Sequence, residues 1–307
     1  MADRTSIEWT DATWNPVVGC SVLSPGCTHC YAMILAGGRL KNHPTRVGLT
    51  DPSKAGPVWN GNVRFNAAEL VKPMRWRRPR RIFVCAHGDL FHEAVPTSWI
   101  DQVYAVMALS PQHTFQVLTK RAERRREYLT DPDRIVRLLD LQVDHPTGRA
   151  PLGELIDFEA FTRPLPNVWE MTSAEDQVRA IERIPALMAT PAAVRGVSLE
   201  PLLLPVNIAW ALSWSAETSR RLDWVIVGGE SGPRGRPMHP DWVRQIRDDC
   251  AAAGIAFFFK QWGAWAPAAA NTGPGDGLVS RVGKRAAGRL LDGRIHDAMP
   301  HFAKEAA

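Results

Sequence analysis

Cys20, Cys27 and Cys30 fall within eleven residues, in the stretch GCSVLSPGCTHCYAM from Gly19 to Met33. Three thiolates on one short loop can take three corners of a metal centre, and soft sulfur ligands select zinc, Cu(I) or iron–sulfur clusters. Structural zinc is usually closed by four protein ligands. The other two cysteines, Cys85 and Cys250, are single and distant, and His29 is cramped between two of the thiolates. A [4Fe–4S] cluster on three cysteines would keep one iron open for a small molecule. Spacing alone leaves three readings: such a cluster, zinc, or unliganded thiols. Softness argues against unliganded thiols, and the missing fourth cysteine favours the cluster over zinc.

Positioning this loop requires a scaffold, and the rest of the chain reads as α/β. Thr13–Cys20 is expected as a first strand delivering the loop, and Tyr31–Leu40 as the helix after it. Further strands are expected over Arg81–Cys85, Thr114–Lys120, Asn167–Ser173, Val194–Leu199, Asp223–Val227 and Ile255–Phe259. Helical patterns lie between them at Ser98–Leu109, Ala122–Leu129, Ala174–Met188 and Pro240–Ala253. Strands alternating with helices imply parallel βαβ units. Polar residues gather just after each strand, the rim where α/β barrels place their chemistry. The expected fold is therefore a partial or open (βα) TIM-like barrel over residues 1–265, with the cysteine loop at its mouth. Residues 41–66, rich in Gly, Pro, Asn and Asp, read as a long irregular connection, and 130–166 as an insertion. Residues 266–307 read as a tail, flexible through AAANTGPGDG and poorly patterned beyond it.

Composition narrows the setting. The chain of 307 residues is 45% hydrophobic, enough for a globular core. It has no apolar run long enough to span a bilayer, and its charged start, MADRTSIEWT, lacks a signal core. The cysteine pattern is not a disulfide framework, so a reducing cytoplasm is expected. Net charge is +5. The densest basic run, Lys72–Arg81, holds Arg75, Trp76, Arg77, Arg78 and Arg80. Such a run can track phosphates while the indole stacks on a base, or it can be a solvated helix end. No phosphate-loop order, H-E-x-x-H or nucleophile elbow is present.

The segments SIEWTDATWNPVVGC, GCTHCYAM, GDLFHE, TKR, SLEPLL, VGGESG and FKQWG, in that order from Ser6 to about Trp265, resemble the phage-associated three-cysteine-motif family of the radical SAM superfamily. The first cysteine gap is six residues, as in that family, where the superfamily at large has three. The resemblance implies a [4Fe–4S] cluster on Cys20, Cys27 and Cys30, and S-adenosylmethionine bound at the open iron. One-electron reduction, by a donor such as flavodoxin or ferredoxin, would cleave that cofactor to methionine and a 5′-deoxyadenosyl radical. The protein's share of such chemistry is to bind and orient.

The chain is also similar to spore photoproduct lyases, which implies roles for particular strand ends. Cys85 would donate a hydrogen atom and Tyr31 relay it, while Lys120 and Ser173 would hold the cofactor. Cys85 also has a plain reading as a small buried hydrophobe, and Lys120 one as a rim cation. Gly228, Gly229 and Glu230 resemble a cofactor-binding GGE motif, though on a late strand. Asp89 is the rival acceptor for the cofactor's amino group, and Glu200 a third rim carboxylate unless an arginine such as Arg195 pairs with it. The expected function is a DNA lyase that repairs UV-induced thymine lesions, the lesion flipped into the site. Alternatives are radical SAM modification of RNA or a protein, or a zinc-binding nucleic acid module without catalysis.

Overall fold

The computed structural model describes residues 5–145, 147–157, 159–217, 221–267 and 279–300. The chain divides into two compact units, Met1–Thr172 with Ala189–Ala193, and Ser173–Met188 with Val194–Ala307. Both are α/β with parallel strands, as the alternation of patterns implied.

The first unit is built on four parallel strands: β1 (Ala12–Trp14), β2 (Arg81–Val84), β3 (Thr114–Thr119) and β4 (Val168–Ser173), paired in that order. Ile82 lies opposite both Ala12 and Phe115, and Phe115 opposite Val168. Every residue of β4 is buried. Strands covered on both faces need near-continuous apolar runs, which is what makes them legible. Helix α1 (Tyr31–Gly37) follows the cysteine loop, α2 (Thr97–Ala108) lies between β2 and β3, and α3 (Ala122–Thr130) follows β3. Ile100, Val103, Tyr104 and Met107 recur at helical spacing, and the second half of α2, Val103–Ala108, is buried all round. α3 has few apolar residues. It is seated by buried Arg125, whose Nη1 donates to the Met171 carbonyl at 2.6 Å, and by Tyr128, whose hydroxyl donates to Asp101 at 2.8 Å.

Two expectations change here. The strand expected over Thr13–Cys20 is two pieces, because Pro16 has no N–H to continue the ladder. β1 stops at Trp14, and Val17–Val18 pairs antiparallel with Arg64–Phe65. The connection over 41–66 contains a hairpin, Thr50–Ser53 against Gly56–Trp59. Trp59 and Leu49 are buried with Val18, Ala32, Met33 and Ala36, so this segment packs α1. The region 130–166, expected as an insertion, is itself structured. It holds the helix Arg134–Leu139 and a hairpin, Gln142–His145 with Gly148–Pro151, and its Leu138, Val143, Leu152 and Phe161 share the core of the sheet.

The second unit has three parallel strands, β5 (Val194–Leu199), β6 (Trp224–Gly228) and β7 (Ala256–Gln261), in that order. Its longer helices are α4 (Gln177–Ala189), α5 (Ala209–Glu217) and α6 (Pro240–Ala253). α6 spans the residues expected of it. At its start the His239 ring accepts from the Asp241 N–H, and Pro240 opens the first turn. Gly254, at φ +66°, ends it. Val243, Ile246 and Cys250 form its buried face, so Cys250 is a core side chain. The tail is structured beyond the residues expected to be flexible. Trp265–Pro267 pairs with Val279–Arg281, the Phe259 N–H donates to the His296 carbonyl at 2.8 Å, and Trp224 Nε1 to the Ala298 carbonyl at 2.9 Å. AAANTGPGDG itself lies outside the described residues. Among the described residues no helix is long and apolar enough to cross a membrane.

Candidate metal centre

The cysteine loop is pinned at its start by backbone. Gly19 donates its N–H to the His87 carbonyl at 3.2 Å, and Gly61 donates to the Cys20 carbonyl at 3.2 Å. Gly19 has φ +95°, and a Cβ there would lie 2.2 Å from the Asn62 carbonyl oxygen, so only glycine fits. Pro25–Cys27 forms one 3-10 turn, closed by Cys27 N–H to the Ser24 carbonyl at 2.9 Å. Cys30 follows three residues later and caps α1. All three loop cysteines are half-buried, while Cys85 and Cys250 are buried.

Burial, then Asp89, pushes the Cys20 thiol up to about 12, opposed by Arg121; charge on Cys27 or Cys30 would push it the same way as Asp89. Among the described residues no three His, Cys, Asp or Glu side chains are drawn together as a cage for one ion. The chemistry of the donor set, three sulfurs from one loop, is of the kind that holds an iron–sulfur cluster with an open iron.

The structure brings a second set of residues to Cys20, of which only Asp89 is marked out by the sequence. Arg121, directly after Lys120, is 5% exposed at its side chain. Its Nη1 donates to Cys20 Sγ at 3.6 Å and to Asp89 Oδ2 at 3.0 Å, its Nη2 to Ser21 Oγ at 2.7 Å, and its Nε to both Glu93 oxygens at 2.8 and 2.9 Å. Burial disfavours the cation, but Asp89, Cys20 and Glu93 outweigh it and hold the guanidinium firmly charged. His92 Nε2 lies 3.0 Å from Ser21 Oγ. The signal is present in GDLFHE and TKR: polar residues after two adjacent buried strands converge on whatever the first loop carries.

Asp89 accepts four donors of its own chain: Phe91 N–H at 3.0 Å, Thr119 Oγ1 at 2.7 Å, Lys120 N–H at 3.3 Å and Arg121. A carboxylate has about four acceptor sites, and those of Asp89 are engaged by its own chain, which makes it the anchor of Arg121. Lys120 is half-buried at the end of β3. The Tyr31 ring is about half exposed, and its hydroxyl donates to the Ala86 carbonyl at 2.5 Å, on the turn that carries Cys85. Cys85 is 2% exposed within the core cluster, at φ +55°, and burial pushes its thiol up to about 12. Its surroundings are those of a small buried hydrophobe, one of the two readings open for it.

The other residues expected to hold the cofactor belong to the second unit. Ser173 donates from Oγ to the Glu200 carbonyl at 3.2 Å, and its own carbonyl accepts from Arg183. Glu200 pairs with Lys260 at 2.7 Å, whereas Arg195 donates its N–H to Asp223, which corrects the expected arginine partner. Glu230 is gripped by Arg236 through both oxygens, at 2.6 and 2.8 Å. A Cβ on Gly229 would lie 2.0 Å from the Trp262 carbonyl oxygen, and one on Gly228 3.0 Å from Glu200. The close approach these glycines permit is to the chain itself.

In the basic run, Arg75, Arg77 and Arg78 are exposed. Trp76 is half-buried, with the Arg80 guanidinium 4.7 Å above its ring and His113 edge-on, so one face of the indole is already covered. Arg80 and Trp76 therefore form one unit, a cation carried on an aromatic plate.

Over residues 4–300 the chain matches the family model described as "Protein of unknown function (DUF5131)", and it belongs to that family. No curated protein and no solved structure matches it.

Proposed function

We propose that this chain is a radical SAM enzyme acting on DNA, with a partial (βα) barrel, in the reducing cytoplasm. The observation that carries the reading is the loop after β1, which presents three half-buried thiols beside a buried, charged Arg121. Cys20, Cys27 and Cys30 would hold the [4Fe–4S] cluster. When bound and reduced by a flavodoxin or ferredoxin, that group supplies the electron that cleaves S-adenosylmethionine. The chain's own work is positional. Arg121, Asp89 and Ser21 fix the Cys20 end of the loop, and Lys120 offers a cation at the β3 end for the cofactor carboxylate. Ser173, Gly228, Gly229, Glu200 and Glu230, all engaged within their own unit, serve as scaffold in this reading. Tyr31, exposed at its ring and bonded to the turn bearing Cys85, is the accessible hydrogen source, and Cys85 a protonated reserve behind it. Exposed Arg75, Arg77 and Arg78 would track a phosphate backbone. Repair of a UV-induced thymine photoproduct is the reaction that this set of residues supports best.

The test is anaerobic reconstitution with iron and sulfide, followed by S-adenosylmethionine, dithionite and UV-irradiated thymine-containing DNA, read by mass spectrometry. Release of 5′-deoxyadenosine with restored thymines is expected. Release without repair would move the substrate to RNA or a protein. No cluster and no cofactor cleavage would overturn the enzyme reading and return the loop to zinc.

A further inference from the structure

Arg121 is held at every nitrogen. Glu93 takes Nε, Ser21 takes Nη2, and Asp89 takes Nη1, so the planar fork cannot turn. The same Nη1 lies 3.6 Å from Cys20 Sγ. A cation aimed and locked at one thiol of a three-thiol loop does more than tie down backbone, because backbone carbonyls would serve that purpose at lower desolvation cost. We propose that Arg121 is a positioning residue that tunes the reduction potential of the group held by Cys20, Cys27 and Cys30, with Glu93 as its counterweight. This rests on the cluster reading above.

The physics is electrostatic. Adding an electron to a thiolate-ligated cluster adds negative charge, and N–H donors to the ligating sulfur raise the potential, as does a nearby cation. Such a charge is weakly screened where its side chain is 5% exposed. Glu93 is 62% exposed and accepts from the far side of the same guanidinium. It withdraws part of the cation's effect without touching the sulfur. The two residues must therefore push the potential in opposite directions, which a merely structural role for either would not do.

The experiment is a redox titration of the reconstituted full-length chain, followed by cluster absorbance and electron paramagnetic resonance, without S-adenosylmethionine or substrate. Arg121→Gln is expected to shift the oxidised-to-reduced ratio about tenfold toward the oxidised cluster, about 59 mV downward for one electron. Glu93→Gln is expected to shift it upward by a smaller factor. Arg121→Lys, which keeps the charge and loses the fork, falls between wild type and Arg121→Gln. Should Arg121→Gln fail to fold, the exposed Glu93→Gln decides alone: an upward shift supports the proposal, and an unmoved potential overturns it. Shifts of the same sign in both residues would also overturn it, since they would report general loosening. A wild-type chain that loads no cluster overturns the cluster reading and this inference together. A wild-type chain that loads normally, with variants that leave the potential unmoved, overturns this inference alone.

Discussion

At the scale of single residues, two buried groups give opposite kinds of information. The Arg46 guanidinium donates to His87 Nδ1 at 2.7 Å, and burial, aided by Arg46, lowers the His87 pKa from 6.5 to about 4. The ring is therefore neutral in the fold, while an unfolded chain takes its proton near 6.5. Stability from this group is fully present above pH 6.5 and is lost as pH falls from 6.5 toward 4. Urea unfolding midpoints at pH 7, 5.5 and 4.5 should show a decline that is shallower in His87→Gln. Cys85 separates two roles. Cys85→Ala should cost about 1 kcal/mol, as the loss of a small buried side chain does. If Cys85 also donates hydrogen, the repaired product should give way to aberrant adducts in the mass spectrum. An unchanged product pattern at reduced stability would leave it a core residue and assign the hydrogen to Tyr31.

At the scale of elements, the buried parallel strands are legible because sequence and environment agree there. The RIFV, VWEMTS and VRGVSL runs are apolar enough to be covered on both faces. The amphipathic helix α6 is equally plain, with a proline at its start and a glycine after its end. What stays hidden has weak local signals. The hairpin Thr50–Trp59 carries a proline in each strand and no alternating apolar pattern, so it reads as loop. TKR marks the end of β3 as polar but does not single out Arg121 over Lys120, because the contacts that give Arg121 its role come from residues 28 to 101 positions away. The hairpin matters to the site because it supports α1. A Cβ on Gly37, the last residue of α1, would lie 2.1 Å from the Pro57 side chain. Gly37→Ala should therefore cost about 1–3 kcal/mol by overpacking. Because α1 begins directly after Cys30, the variant should also take up less iron and sulfide per chain than wild type, measured by metal analysis after reconstitution.

At the scale of the whole molecule, a net charge of +5 is modest, and the three exposed arginines at 75, 77 and 78 concentrate it. If they contact phosphates, affinity for DNA should fall linearly with log salt. Replacing all three by Gln should reduce that slope by roughly 2–3, at about 0.7–0.9 per lost contact. Fluorescence anisotropy over a salt series measures this, and an unchanged slope would place DNA elsewhere on the protein. The chain's late residues bear on a different question. Leu291 is fully buried in the second unit, and the carbonyls of Gly288, His296 and Ala298 accept from Trp262, Phe259 and Trp224. Proteins are synthesised from the N-terminus, so β6 and β7 leave the ribosome before the segment that covers them exists. The second unit can finish only after synthesis has passed residue 298. A message cut short between β7 and residue 288 would yield a chain carrying the cysteine loop but an uncovered apolar flank on the second unit, open to proteases. A product ending at residue 267 should accumulate in inclusion bodies or be degraded, while the full-length chain stays in the supernatant. The second unit is thus complete only once the segment through residue 298 has been made, whatever the cysteine loop of the first unit carries.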